Sequence, residues 1–215
     1  MGPGAVAPAG AGRVVARRTL RRAPEQVAPL LLGAVLVHDS PDGPVAVRLT
    51  EVEAYAGEQD PASHAWRGPT PRTQVMFGPP GVAYVYFSYG MHWCMNVVTR
   101  PDGVASAVLL RAGEVVDGIA LARDRRRRST DRDLARGPGR LCQALGLTGP
   151  DTGTDVCATA SPLRLLARRR PPAAIAAGPR IGITKAVAVP WRFWIDGDRF
   201  VSGPRTRPTR GTDVP

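Results

Sequence analysis

The sequence has one lysine, Lys185; the other 28 of its 29 basic residues are arginine. Any chemistry that needs a lysine amine therefore has a single candidate. Cysteine is equally sparse. Cys94, Cys142 and Cys157 are an odd set without CxxC spacing, which argues against a disulfide framework or a zinc ribbon and fits a reducing compartment. His92 and Cys94 share a strand face, but no second pair of ligands lies near them, so Cys94 reads as a buried thiol and no metal is expected. No apolar run approaches the ~20 residues of a membrane span; the strongest, residues 30–37, is far too short. The N-terminus lacks the continuous apolar region of a secretory signal. Its acid-free, Arg- and Ala-rich composition is faintly like an organelle transit peptide, and a basic leader without fixed structure is the plainer reading. Aromatic residues make up only 6% of the chain. No internal repeat or second domain is visible.

What is present fits one domain. The 215 residues are enough for one good core, with a disordered basic leader over residues 1–18, a folded unit over 19–203 and a disordered tail over 204–215. The net charge is +11, with 18 acidic residues. Arginine suits bidentate phosphate recognition, yet an Ala-, Gly-, Pro- and Arg-rich composition also follows from GC-rich codons. The excess of charge, more than the choice of arginine, points to a polyanion, and nucleic acid is the first candidate.

The spacing predicts a helix from Pro24, with Glu25 in its first turn, ending at Gly33. A short strand over 34–38 and a turn at 39–44 follow. Residues 45–55 read as a strand. Strict alternation carries Val45, Val47 and Leu49 on to Glu51, Glu53 and Tyr55, so a core face is predicted to end in two carboxylates and a phenol. Residues 56–80 form a long ordered loop with His64, Trp66, Arg67 and Arg72. Strands at 82–87 and 91–99 flank a hairpin tip at Tyr89-Gly90, and Tyr84 and Tyr86 share a face. A further strand is expected at 104–110, a helix at 114–122, an arginine run at 123–128 and a helix after Gly137-Pro138-Gly139-Arg140. The run reads as a solvated face or as phosphate contacts, and the Gly-containing turn as a weak, generic anion site. Closing strands are expected at 180–183 and 191–195.

All four tyrosines, two of the four tryptophans and two of the three histidines fall within residues 50–98. Such a cluster in a basic protein suits a flat, electron-poor or cationic ligand, held by stacking and cation–π attraction. A single carboxylate such as Glu53 or Glu51 suffices to activate water for N-glycosidic cleavage when the leaving group is a cationic or protonatable purine. An enzyme acting on a base in duplex DNA must flip it out, and a tyrosine at a hairpin tip can fill the gap.

At these residues the chain resembles the alkyladenine (3-methyladenine) DNA glycosylase family of the animal and bacterial type. The carriers are Glu53-Ala54-Tyr55, His64, Thr70-Pro71-Arg72, Met76-Phe77, Tyr84-Val85-Tyr86, Tyr89-Gly90-Met91 and Cys94-Met95-Asn96. Further matches follow in residues 108–112, 141–145 and 180–183. The resemblance runs from about residue 25 to 202. It implies a mixed α/β (α+β) single domain with a curved, largely antiparallel sheet, flanking helices and a protruding DNA-inserting β-hairpin.

The same resemblance implies that Glu53 is the general base. Arg111 and the backbone carbonyl of Ile181 would hold the water. Tyr55, His64 and Tyr86 would enclose the flipped base, Asn96 would exclude guanine and Tyr89 would be the wedge. No cofactor or metal and no lyase step are implied. The partner would be double-stranded DNA with alkylated or deaminated purines, met by a monomer in a bacterial cytoplasm, with no membrane involved. Arg72 and Arg140 are candidate backbone contacts. Thr73 stands where the family more often has asparagine, and the loop after His64 is a residue shorter than in some relatives, which bears on DNA contacts rather than on the chemistry. A non-catalytic nucleic-acid-binding module and a hydrolase of small nucleosides or nucleotides stay open beside this reading.

Overall fold

Proline opens the first long helix, as its spacing predicts. The computed structural model describes residues 12–203. Helix α1 (Arg17–Leu20) is a single turn, and α2 (Pro24–Leu31) follows with Pro24 at its start and Glu25 in its first turn. A proline there loses no intrahelical hydrogen bond, and the acid faces the positive end of the helix dipole. Val27, Ala28 and Leu31 are buried on one face of α2. Pro29 lies inside this helix, and its carbonyl accepts a hydrogen bond from Arg168 Nη1 at 3.0 Å, as does that of Leu32 at 3.2 Å. The basic side chain thus caps the carbonyl end.

Eight strands form one antiparallel sheet among the described residues: β1 (Val35–Ser40), β2 (Gly43–Tyr55), β3 (Ala83–Ser88), β4 (His92–Val98), β5 (Ala107–Asp117), β6 (Leu163–Leu166), β7 (Ile175–Gly178) and β8 (Arg192–Ile195). The spatial order is β3-β4-β5-β2-β1-β6, and β8 pairs with β2 and β7. Strand β2 changes partner on one edge: residues up to Arg48 pair with β1, and Glu51, Val52 and Glu53 pair with β8. Helices α3 (Ile119–Arg125) and α4 (Pro138–Leu145) complete a mixed α/β single domain around a curled sheet. The main core joins buried side chains of α1, α2, α4 and the inner sheet face, including Leu20, Leu31, Leu49, Met95, Leu110 and Leu145. Each fully buried side chain of this size contributes about 1.5–3 kcal/mol relative to exposure.

Five expectations change. The register between β2 and β5 slips three times, between Ala46 and Val47 and then, beside the acids, between Leu49 and Glu51 and between Glu51 and Val52. Two residues of β2 first oppose one of β5 at Thr50, and then two of β5 oppose one of β2 at Arg111. A bulge moves every following side chain to the other face. Val52 and Ala54 therefore join Val45, Val47 and Leu49 in the main core, and Glu51, Glu53 and Tyr55 occupy the opposite face. Simple alternation puts the acids on the wrong side.

The helix expected over 114–122 starts only at Ile119, because Glu114, Val115, Val116 and Asp117 still belong to β5. The strand expected at 104–110 begins at Ala107, and residues 180–183 form an irregular segment rather than a strand.

The ordered chain also starts earlier than residue 19. Val15 N–H donates to Leu165 O at 2.7 Å and Ala167 N–H to Arg13 O at 2.8 Å, tying this segment to the sheet. Residues 1–11 of the expected leader, and the expected tail over 204–215, lie outside the described residues. No helix among the described residues is long and apolar enough to cross a membrane.

Candidate functional site

Glu51 and Glu53, two residues apart on β2, have different surroundings although both are fully buried. Glu51 Oε1 accepts from Arg111 Nε at 2.9 Å and from Arg192 Nε at 2.7 Å, and its Oε2 accepts from Ser202 N–H at 2.6 Å. Two guanidinium groups and an amide hold this carboxylate, which suits an anchor for the interior. Glu53 has a different set. Its Oε1 accepts from Ile181 N–H at 2.7 Å and lies 3.2 Å from Arg111 Nη1, and its Oε2 accepts from the Tyr55 hydroxyl at 2.8 Å. Arg111 bridges the two acids. It stands at the β5 bulge, which re-aims its side chain between them. Burial opposes its charge, and Glu53 and Glu51 outweigh that effect, holding the guanidinium above its ordinary pKa.

Tyr55, Arg111 and Ile181 form part of the wall of a pocket of about 360 Å³, so Glu53 lies just behind that wall. This volume is within the range of small-molecule sites. Strand β3 contributes Tyr84 and Tyr86, two residues apart on one face, with stacked rings 5.2 Å between centroids. His64, carried in by the loop after β2, meets Tyr86 edge-on at 4.6 Å, and its Nδ1 lies 3.1 Å from the Tyr84 hydroxyl. Asn96 on β4 is paired in register with Tyr84, and its Nδ2 donates to Tyr84 O at 3.5 Å. The Arg72 guanidinium lies 5.3 Å from the Tyr86 ring centre.

The electrostatics favour neutral aromatic walls. Burial, then Arg72, lowers the His64 pKa to about 4, so the imidazole is uncharged at neutral pH. Burial, then the Glu53 carboxylate, pushes the Tyr55 phenol well above its ordinary value. Burial and then Cys94 do the same for Tyr86. Burial also raises the Cys94 thiol, which lines the pocket. A flat ligand here meets neutral rings that donate and accept hydrogen bonds, with one carboxylate and one guanidinium at the back.

The hairpin of β3 and β4 ends at the pocket rim. Met91 N–H donates to Ser88 O at 3.1 Å, and the two central residues of this turn, Tyr89 and Gly90, have φ of 50° and 65°. Two positive φ values are the type I′ pattern that suits tight hairpins. Tyr89 is 84% exposed and Met91 68%. Behind the hairpin, α4 begins close to His92: a Cβ on Gly139 would stand 2.8 Å from that of His92, so glycine permits the approach. Pro138, at the start of α4, lines the pocket.

Most residues singled out in the sequence meet at this pocket: Tyr55, His64, Arg72, Tyr86, Tyr89, Asn96, Arg111 and Ile181 line it. Ile181 touches Glu53 through its amide N–H. Arg140 does not line the pocket; it is half exposed and pairs with Asp133 at 3.4 Å. The arginine run is largely engaged within the protein. Arg123 pairs with Asp131, Arg125 with Asp42, and Arg127 with Asp124. Among the described residues no cluster of His, Cys, Asp or Glu is placed to hold a metal ion.

Sequence reasoning missed Tyr84 as the partner of His64, although the strand pattern already puts it beside Tyr86. It also missed the buried pair of Asp60 and Arg180. Arg180 Nη1 and Nη2 meet Asp60 Oδ2 and Oδ1 at 2.5 and 2.9 Å. No local pattern links residues so far apart in the chain.

Comparison with known proteins identifies the family. The sequence model of the methylpurine-DNA glycosylase (MPG) family matches residues 18–199. A protein of Frankia casuarinae is 57% identical over 189 residues, covering 83% of this chain and 87% of its own. One from Streptomyces avermitilis is 55% identical over 188 residues, covering 86% and 88%. One from Leifsonia xyli subsp. xyli is 53% identical over 192 residues, covering 85% and 89%. All three carry the name "Putative 3-methyladenine DNA glycosylase".

Proposed function

This chain belongs to the methylpurine-DNA glycosylase family, and from that premise we propose that it is a monofunctional DNA glycosylase of damaged purines. Alkylated or deaminated purines are flipped from duplex DNA into the pocket, and the N-glycosidic bond is hydrolysed to leave an abasic site. The observation that carries the proposal is the setting of Glu53. It is a fully buried carboxylate held by Tyr55, Ile181 and Arg111 directly behind an aromatic pocket.

The chemistry follows from that setting. Glu53 Oε2 accepts one hydrogen bond, from Tyr55, and a carboxylate oxygen has a second lone pair for a water hydrogen. Glu53 takes the proton as the water oxygen bonds to C1′ of the sugar. The electron pair of the C1′–N bond leaves with the purine, which departs readily when it is cationic or protonated. Carboxylate charge also stabilises the oxocarbenium-like transition state. Arg111 and the backbone carbonyl of Ile181 hold the water. Tyr55, His64 and Tyr86 enclose the base, Asn96 obstructs the 2-amino group of guanine, and Tyr89 enters the space the base has left. Water is the nucleophile, so no amine is needed and no lyase step follows; Lys185 is the chain's one lysine and does not line the pocket. A hydrolase of free nucleosides has no use for an exposed tyrosine at the hairpin end, and a binding module has none for Glu53.

The test uses duplexes carrying hypoxanthine, ethenoadenine or 3-methyladenine, followed by alkaline cleavage at abasic sites. The protein is expected to cut at least one of them. The Glu53→Gln variant is expected to bind lesion DNA and to lose excision by about 10²-fold or more. Full excision by that variant removes Glu53 as the base, and no cleavage by the wild type on any duplex favours the binding module.

A further inference from the structure

We propose that Asp60 and Arg180 are positioning residues, a buried clasp that sets the geometry of Glu53, Tyr55 and Ile181 without touching substrate. The proposal rests on the glycosylase reading above. Both side chains are almost wholly buried, at 1% and 0% exposure, and neither lines the pocket. A buried ion pair is a poor device for stability alone, because desolvation offsets much of its attraction and apolar side chains of similar volume serve as well. What the pair joins is more informative.

Asp60 stands in the short loop between Tyr55 and His64. Its Oδ2 accepts from Ala56 N–H at 3.3 Å and its Oδ1 from Ala62 N–H at 3.1 Å. One carboxylate therefore holds both ends of the segment that connects two pocket residues. Gly57 makes the tight path possible: its φ is 62°, and a Cβ there would overlap the carbonyl of Ala105.

Arg180 completes the link to the other side. Its Nη1 donates to Ala54 O at 2.9 Å, the carbonyl between Glu53 and Tyr55. Its guanidinium carbon lies 4.6 Å from the Tyr55 ring centre and 5.3 Å from that of Trp191. The next residue, Ile181, donates its N–H to Glu53. The segment carrying Ile181 is irregular, so no ladder of strand hydrogen bonds fixes it. The clasp takes the place of that ladder. It pins the Ile181 amide against one carboxylate oxygen and the Tyr55 ring beside the other. The planar fork is essential, since only a guanidinium meets both Asp60 oxygens and Ala54 O while stacking on two rings.

Asp60→Asn is the first variant, studied with wild type, Arg180→Lys and the doubly neutral Asp60→Asn/Arg180→Met. Hydrogen exchange read by NMR follows the Ile181 amide and the β5 amides of the full chain. Single-turnover excision on a hypoxanthine duplex is measured beside affinity for a duplex with a tetrahydrofuran abasic analogue. In Asp60→Asn the Ile181 amide is expected to exchange faster while β5 stays protected. Excision should fall by about 10²-fold, the scale of a misplacement near 1 Å. Affinity for the analogue should change by no more than about threefold, so the loss falls on the chemical step. Arg180→Lys should not rescue the rate. The double variant should recover stability, because it leaves no lone buried charge, and still excise slowly. Unchanged exchange at Ile181, or a rate that returns together with stability in the double variant, overturns the clasp. If wild type excises nothing, the glycosylase reading fails, and the Ile181 amide alone decides whether the clasp exists.

Discussion

Tyr55 donates its phenolic hydrogen to Glu53 Oε2 at 2.8 Å, from two positions along the same face of β2. The bond orients a carboxylate whose other oxygen is held by Ile181. Tyr55→Phe keeps the ring against Arg180 and removes only this donor. A hydrogen bond to a charged group contributes about 1.5–3 kcal/mol, so urea unfolding should show a loss near the lower end of that range. Single-turnover excision should fall by about tenfold, with affinity for abasic-analogue duplex retained. An unchanged rate would show that Tyr55 only stacks.

Glu51 has the opposite character. Its neutralisation leaves Arg111 and Arg192, both buried, with less countercharge. Breaking a buried charge network costs about 3–5 kcal/mol, so Glu51→Gln should unfold at much lower urea than Glu53→Gln. Glu53 has one guanidinium against it, where Glu51 has two. Equal stability of the two variants would overturn the division into an anchor and a working acid.

That division was only partly legible in the sequence. The spacing of Glu51, Glu53 and Tyr55 shows that they share a face. It does not show which face, because a one-residue bulge at Thr50 inverts the alternation and nothing in Thr50 itself announces it. The aromatic set was readable because Tyr84 and Tyr86 share a strand parity and Tyr89-Gly90 marks a turn. Arg111 and Ile181 were reached through resemblance alone, since strand pairing across tens of residues brings them to Glu53. The expected helix at 114–122 failed because β5 runs on to Asp117, where pairing with Ala46 outweighs local helical preference. Gly118, with φ of 69°, then marks the real helix start.

His64 gives a pH dependence with a definite sign. Its folded pKa is lowered to about 4 from the ordinary 6.5, first by burial and then by Arg72. The residue as a whole is exposed, yet its ring lies edge-on to Tyr84 and Tyr86, so the direction stands and its energy is partly screened by solvent. The contribution to stability is fully present above the unfolded pKa and is lost as pH falls from 6.5 through 4. His64→Asn removes it. The difference in thermal midpoint between wild type and variant should change across that window and stay flat from pH 7 to 8. An NMR titration of His64 that gives a midpoint near 6.5 would contradict the assignment.

Tyr89 combines a cost to folding with a service to DNA binding. It is 84% exposed, and its φ of 50° lies where residues other than glycine are strained. The left-handed conformation costs a non-glycine residue about 1–2 kcal/mol. In Tyr89→Gly that strain disappears, and the added freedom of the unfolded chain takes back about 0.4–1 kcal/mol. The variant should therefore be as stable as the wild type or slightly more so. If the ring fills the gap left by a flipped base, its removal should slow excision from duplex DNA by about tenfold or more, since unstacking a base costs a few kcal/mol. Excision of the same base from single-stranded DNA should hardly change, because no stack has to be filled there. A variant that lost both activities equally would show that Tyr89 serves the base in the pocket rather than the gap in the duplex. One that lost neither would leave the strained turn with no part in the reaction.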